Sequence, residues 1–378
     1  MSWKASVPAC STCCNPHDLT KNRSGSAATP PVFLHPSLRR PSSKRHLTRY
    51  DAVHPTEVLF QDDAAPAQLP VCDHYAGAEK LMRKSLALQQ ALGPVFDITF
   101  DCEDGAAVGQ ERAHAELAAA LINSDDNCFN RVGVRIHDPN HDAWTQDVDI
   151  LVGQAGSRLA YVTVPKVRDV VEVARVTDRV NQAARAAGIA RHLPIHVLIE
   201  THGALAQVFD IAALVQVECL SFGLMDFVSA HNGAIPDAAM GSPEQFEHPL
   251  IRRALTDISA ACHAHGKVPS HNVSTDIKHP DRAGADAARA RNAFGYLRKW
   301  SIHPDQIEPI VAAFRPSHDE VTQAAAILAA AQDTSWGPIQ HEGRLHDRAS
   351  YRYWWAVLQR AHTTGVAMPP EATSRFFA

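Results

Sequence analysis

The stretch IHVLIETHGALAQVFDIAALVQVECLSFGLMD, residues 195–226, decides the fold. It opens on an apolar, β-branched run over 195–199, passes through an Ala-rich amphipathic run over 203–214, and returns to a short apolar run over 219–223. Strand, helix and strand in that order make a βαβ unit, in which the two strands lie parallel. Each apolar run gives way to acid: Glu200 follows the first, and Asp226 stands at the end of the second. Neighbouring strands are about 4.8 Å apart, so two carboxylates at matching heights on their ends can share one hard cation. For either residue alone, an ion pair with a nearby Arg or Lys is an equally good reading.

The same alternation runs outward in both directions. Further strands are expected over 96–100, 132–136, 161–164, 267–269 and 299–302. Helices are expected over 78–92, 109–122, 168–187, 248–265 and 281–294. An eighth strand is best placed at 68–71, just before the first of these helices. Eight strands with interleaved helices favour a (β/α)₈ TIM barrel over an open doubly wound sheet. Beyond the last strand come a short helical run at 308–313, a helix over 318–332, a Gly- and Trp-containing link over 334–343, and a final helix over 348–363. That is more than a barrel needs, and it reads as a C-terminal helical lid or oligomerisation extension. Tyr351, Tyr353, Trp354 and Trp355 make the final helix aromatic on more than one face. Such a surface needs cover, from its own barrel or, as the preferred reading, from a neighbouring subunit. The chain therefore divides into a basic leader (1–50), a TIM-barrel catalytic domain (51–316) and the C-terminal extension (317–378).

Composition excludes several classes of function. With 378 residues, 45% hydrophobic and 20% charged, the chain has ample material for a core. No stretch approaches 18 uninterrupted apolar residues, so no transmembrane helix and no membrane partner are expected. A formal net charge of −5 argues against a dedicated nucleic-acid binder. The charge is uneven. Residues 1–50 hold eight Lys and Arg against the single acid Asp18, a net +7 that leaves −12 for the rest. This Ser-, Thr- and Pro-rich leader reads as a flexible tail, with an organellar transit peptide as the minor alternative. Eight cysteines are too dilute for a disulfide framework and point to a reducing, cytoplasmic setting. Cys10, Cys13, Cys14 and His17 have zinc-like spacing, but no second half follows, so they are not read as a metal site.

In a barrel enzyme the chemistry collects where strands end. Polar residues gather there in this sequence: Asp101-Cys102-Glu103-Asp104-Gly105, Arg135-Ile136-His137-Asp138, Pro165-Lys166, Glu200-Thr201-His202, Asp226 and Ser301-Ile302-His303. Each charge adjoins an apolar strand and is expected to be partly desolvated. So many around one rim exceed what stability requires, because an unpaired buried charge is costly or changes its protonation.

These segments resemble the HpcH/HpaI aldolase and citrate lyase β-subunit superfamily. Asp101-Cys102-Glu103-Asp104-Gly105 resembles its LDLEDA motif, Val134-Arg135-Ile136-His137 its VRxN strand and Val164-Pro165-Lys166 its PK strand. Ile199-Glu200-Thr201 matches IET, Phe222-Gly223-Leu224-Met225-Asp226 matches FGxxD, and Lys299-Trp300-Ser301-Ile302-His303-Pro304 lies in a GKWxIHPxQI match. Phe314-Arg315-Pro316-Ser317 matches FxPS, and the segment from Gly343 to Ser350 matches the GRxxDxAS of malyl-CoA lyase-like members. The matches come in family order over roughly residues 68–366.

The resemblance implies a TIM barrel and Mg²⁺-dependent carbon–carbon lyase chemistry, with Mn²⁺ as the substitute metal. The substrate class is a β-hydroxy acyl-CoA, citryl- or malyl-CoA-like, cleaved to a 2-oxo acid and an acyl-CoA. It makes Glu200 and Asp226 the metal ligands and sets Arg135 over the developing enolate. Asp347 becomes the acid/base group, delivered by a neighbour's lid in a homo-oligomer, trimer or hexamer. Glu103 and Asp104 lie near the metal's water shell. The chemistry suits the residues: Arg offers a planar, permanently charged fork to charge that grows only in the transition state. Lys80, Arg83 and Lys84 are candidates for CoA phosphates, with a solvated helix face as the plainer reading.

The sequence departs from the family pattern in three places. Gln68-Leu69-Pro70-Val71-Cys72-Asp73-His74-Tyr75-Ala76-Gly77 stands where the family has RSxLxVPG, His137 replaces the Asn of VRxN, and Arg298 replaces the Gly before Lys299. The first puts CoA use in question. A CoA-independent class II aldolase acting on a free 2-oxo acid is therefore the alternative, with a non-catalytic barrel subunit behind it.

Overall fold

Eight short parallel strands close on themselves in chain order: β1 (Cys72–Ala76), β2 (Phe96–Asp101), β3 (Val132–Arg135), β4 (Val162–Val164), β5 (Ile195–Ile199), β6 (Val217–Phe222), β7 (Val268–His271) and β8 (Arg298–Ser301). The ring closes by pairing β8 with β1, Lys299 opposite Cys72. The computed structural model describes residues 53–60, 67–104 and 108–378. The Cys10, Cys13, Cys14 and His17 cluster, the rest of the leader and Gly105 lie outside the described residues. Helices follow the strands and pack their apolar faces on the outside of the ring, so β2 and β5 are buried along their whole length, as parallel strands covered on both faces are. The fold is a (β/α)₈ TIM barrel. No helix among the described residues is long and apolar enough to cross a membrane.

Four expectations need correction. The first strand is Cys72–Ala76, not 68–71. Its Asp73 points at Thr99 and Tyr161, whose hydroxyls donate to it at 2.7 and 3.0 Å. Polar side chains aimed into the barrel hid the strand from an apolar search. A helix, Trp144–Ala155, unexpected from the sequence, connects β3 to β4. The expected 203–214 helix is two, His202–Ala206 and Val208–Ala213, broken at Gln207. The 334–343 link holds one strand of a hairpin, β9 (Ile339–His341) with β10 (Arg344–His346). Its two turn residues, Glu342 and Gly343, both have positive φ (48° and 77°), as a type I′ turn demands.

Helices His318–Asp333, Arg348–Thr363 and Pro370–Phe376 enclose an apolar cluster of their own around Val321, Leu328, Tyr351, Trp355 and Phe376. Residues 53–60 join it: Leu59 is fully buried there, and the Trp336 indole donates to the Val53 carbonyl at 3.0 Å. Tyr351 and Trp355, four residues apart, share the buried face of the final helix. Their cover thus comes from their own chain, whereas Tyr353 remains 57% exposed.

Candidate active site

The strand ends and the turns that follow them bring five carboxylates and two cations to the C-terminal rim. Arg135 ends β3 and turns its guanidinium onto Asp101, the last residue of the adjoining β2. Nε donates to Asp101 Oδ1 at 2.8 Å and Nη2 to Oδ2 at 2.6 Å, a bidentate clamp. Nη2 also donates to Asp104 at 2.9 Å, and Nη1 lies 2.7 Å from Glu103 Oε2. The fork expected to face a substrate is therefore already held by three acids, which keep the guanidinium firmly charged despite its burial. Tyr75, from β1, backs it with its ring 5.5 Å away.

Lys166 follows β4 in a left-handed conformation (φ 49°), which costs an ordinary residue roughly 1–2 kcal/mol. The turn puts Lys166 to two uses. Its backbone N–H donates to Glu200 Oε1 at 2.6 Å, and its ammonium pairs with Glu103 Oε1 at 2.8 Å. Glu103 is thus wedged between Lys166 and Arg135; burial still pushes its carboxyl above the ordinary value, against the pull of both cations.

Glu200, just past β5, is 3% exposed. Its room is made by Gly223, since a Cβ there would fall 2.2 Å from Glu200 Oε2. Burial, and then the charge of Asp226, push the Glu200 carboxyl up to about 8. Asp226 does not stand at a strand end as expected. It occupies the first turn of the short helix Leu224–Ser229, beyond β6, and is exposed. Asp104 is likewise exposed, at 70% of its side chain, so desolvation holds for Asp101, Glu103 and Glu200 but not for these two.

Other expected residues fall elsewhere. Asp347 caps the final helix, accepting from the backbone N–H groups of Ala349 and Ser350 at 3.1 and 3.4 Å in a capping box. It is exposed, and its hydrogen bonds stay within that cap. Lys80 and Lys84 are exposed on helix Glu79–Leu92, beside the Arg83–Glu79 pair at 2.8 Å. Sequence reasoning missed the left-handed Lys166 backbone, which leaves no signature in residue type. It also missed Asp147, because the helix carrying it was not anticipated.

The family model for HpcH/HpaI aldolase/citrate lyase matches residues 80–304. The chain is 31% identical over 293 residues to the L-malyl-CoA/β-methylmalyl-CoA lyase of Cereibacter sphaeroides, covering 74% of this chain and 91% of that one. A crystal structure of a citrate lyase from Burkholderia xenovorans LB400 is similar at 60% identity and a TM-score of 0.74, covering 86% of this chain and all of that one. The CitE protein of Mycobacterium tuberculosis, solved with magnesium, acetoacetate and coenzyme A, shares the fold at 23% identity and a TM-score of 0.57, over 79% and 98% of the two chains. With a matching model over more than half its length and a relative of this identity and coverage, the chain belongs to the HpcH/HpaI aldolase/citrate lyase family.

Proposed function

We propose that this lyase is a Mg²⁺-dependent carbon–carbon lyase that cleaves a β-hydroxy acyl-CoA into a 2-oxo acid and an acyl-CoA. The observation that carries the reading is the charge imbalance at the rim. Among the described residues, Asp101, Glu103, Asp104, Glu200 and Asp226 share two permanent cations, Arg135 and Lys166, with the His137 imidazole beside Glu103. Glu200 has one backbone N–H and no cation of its own, and a buried carboxylate so placed fits a divalent ion. Among the described residues no three His, Cys, Asp or Glu side chains form a ready cage. Two carboxylates supplemented by water and substrate oxygens is the way Mg²⁺ is commonly held. Glu200 and Asp226 would hold it, and the ion would supply a Lewis acid for the substrate hydroxyl and carboxylate.

Arg135, immobilised by Asp101, would meet enolate charge through Nη1, the nitrogen now paired with Glu103, so that Glu103 must yield that edge to substrate. Lys166 holds Glu103 and Glu200 at one place through its side chain and its backbone. Lys80 and Lys84, exposed on the helix after β1, are the proposed CoA phosphate contacts. Asp347 would have to act on a neighbour's barrel, as part of a homo-oligomer. The exposed Leu345 (75%) and Tyr353 (57%) on the same hairpin and helix support that arrangement.

The reading is tested by incubating the purified protein with malyl-CoA, β-methylmalyl-CoA and citramalyl-CoA, with Mg²⁺ or with a chelator, and assaying release of oxo acid. Mg²⁺-dependent release is expected. Release from free hydroxy acids but not from the CoA esters would favour the aldolase alternative. Shared sites are tested by mixing Asp347→Asn with Arg135→Ala under subunit exchange; activity should return, and its absence despite verified exchange would assign Asp347 to capping alone.

A further inference from the structure

Beside the carboxylate cluster lies a cavity of about 380 Å³ whose lining includes Glu103, Asp104, Lys166, His137 and His141. His137 follows β3 by two residues and is 5% exposed, with its ring stacked on His141 at 4.5 Å between centroids. Asp147 reaches it from helix Trp144–Ala155, which is fully buried at that position. Asp147 Oδ2 accepts from the His137 backbone N–H at 2.9 Å and from Nδ1 at 2.6 Å. Asp147 Oδ1 has no hydrogen-bond partner among the described residues. The whole hydrogen bonding of a buried carboxylate is thus given to one histidine, while an oxygen is left bare. As a mere clasp between loop and helix that is a poor bargain, because an unsatisfied buried oxygen is destabilising. As an orienting device it is apt. With Nδ1 committed to Asp147, the tautomer and ring plane are set, and Nε2, which makes no hydrogen bond among the described residues, is left to the cavity.

We propose that His137, oriented by Asp147, is the general base that takes the hydroxyl proton of the substrate at this site. This rests on the lyase reading above. In the cleavage direction the hydroxyl proton passes to Nε2, and the O–H electron pair becomes the second bond of the new carbonyl. The carbon–carbon bond breaks and its pair moves into the thioester as an enolate, which takes at carbon the proton that Nε2 received, passed on through water, so that the imidazole ends neutral. The balance needs no further reactant. Charged and titratable groups facing the imidazole are Asp147, Glu111 and Glu103, with Lys166, Asp104 and Asp138 on the walls of the same cavity and His141 stacked on the ring. Burial works against its protonation, but the bond and charge of Asp147, with Glu111 and Glu103 behind it, hold it above the ordinary histidine value. That makes the neutral imidazole a stronger proton acceptor and places the acid limb of activity at the loss of that neutral form.

The test measures kcat/KM against pH for malyl-CoA cleavage with saturating Mg²⁺, in wild type, His137→Asn and Asp147→Asn. His137→Asn should lose on the order of 100-fold and lose the acid limb of the profile. Asp147→Asn keeps the shape but not the charge, so it should lose about 10-fold and move the acid limb to lower pH. A structural clasp would leave that limb in place. His137→Asn within about twofold of a turning-over wild type, with its acid limb retained, would overturn this proposal and leave the lyase reading standing. Should His137→Asn fail to fold, the Asp147→Asn limb decides, and an unmoved limb overturns the proposal. A wild type that cleaves no CoA ester would sink the lyase reading and this proposal together.

Discussion

The two ends of the barrel treat charge in opposite ways. At the N-terminal end, near the starts of β1, β2, β6 and β8, the three carboxylates Asp73, Asp97 and Glu218 meet the guanidiniums of Arg298 and Arg131 and the imidazole of His196. Arg298 pairs with Asp73 at 3.1 Å and with Asp97, while Arg131 holds the other oxygen of Asp97 at 2.6 Å. The Pro70 carbonyl and the Thr99 and Tyr161 hydroxyls satisfy further valences. At the C-terminal end, five carboxylates meet Arg135 and Lys166, and Glu200 is driven toward its neutral form. In the first network every carboxylate has a cation or a histidine beside it; in the second, among the described residues, Glu200 has no ion pair, an arrangement suited to a bound cation. Both ends are built from the same residue types, so charge counting, and not residue type, separates scaffold from site.

The largest effect should come from breaking the balanced end. Arg298→Ala leaves Asp73 and Asp97 buried without their shared partner, at a cost of about 3–5 kcal/mol. Urea unfolding would show this as a large fall in the midpoint; an unchanged midpoint would mean that the network is slack. Arg135→Lys should instead cost roughly 100-fold in kcat with little change in the unfolding midpoint, because Lys cannot form the two-donor clamp on Asp101. Near wild-type kcat in that variant would erase the distinction between the two ends.

A subtler effect separates the ends by pH. The folded pKa of Glu200, about 8, lies above its unfolded value near 4.3. Its contribution to stability is complete below the lower value and is lost as pH rises through the upper one. Without divalent metal the melting temperature should therefore fall across that window, in proportion to this group. Added Mg²⁺ should raise it more at about pH 8.5 than at about pH 6, where a bound proton competes with the ion. Equal shifts at both values would detach Glu200 from the metal. The smallest effect belongs to the extension: Asp347→Ala should cost about 1 kcal/mol through loss of the helix cap, read in the same unfolding assay.

Much of this was legible in the sequence, for identifiable reasons. The 195–226 unit could be read because β5 and β6 are apolar and their polar ends stand out. β1 could not, because Asp73 and His74 are polar residues inside a strand, and their partners Arg298 and Ser301 come from the far end of the chain. Two departures from the family pattern, the opening stretch and Arg298, turn out to be partners in one ion pair. The engagement of Arg135 was hidden likewise, since Asp101, Glu103 and Asp104 reach it from a different strand end. The sequence sets Asp226 at a strand end; the structure puts it on a helix, where its charge still acts on Glu200, and that helix and the exposure of Asp226 depend on how the chain turns after β6.

The most direct measurement is a calorimetric titration of Mg²⁺ into wild type, Glu200→Gln and Asp226→Asn, each checked for an intact fold by circular dichroism. The expected result is saturable binding at one site per chain in wild type, and loss of at least roughly tenfold in affinity in each variant, from removal of a charged ligand. Unchanged affinity in both variants would contradict a divalent site at the rim, and the excess of carboxylates there would need a different partner.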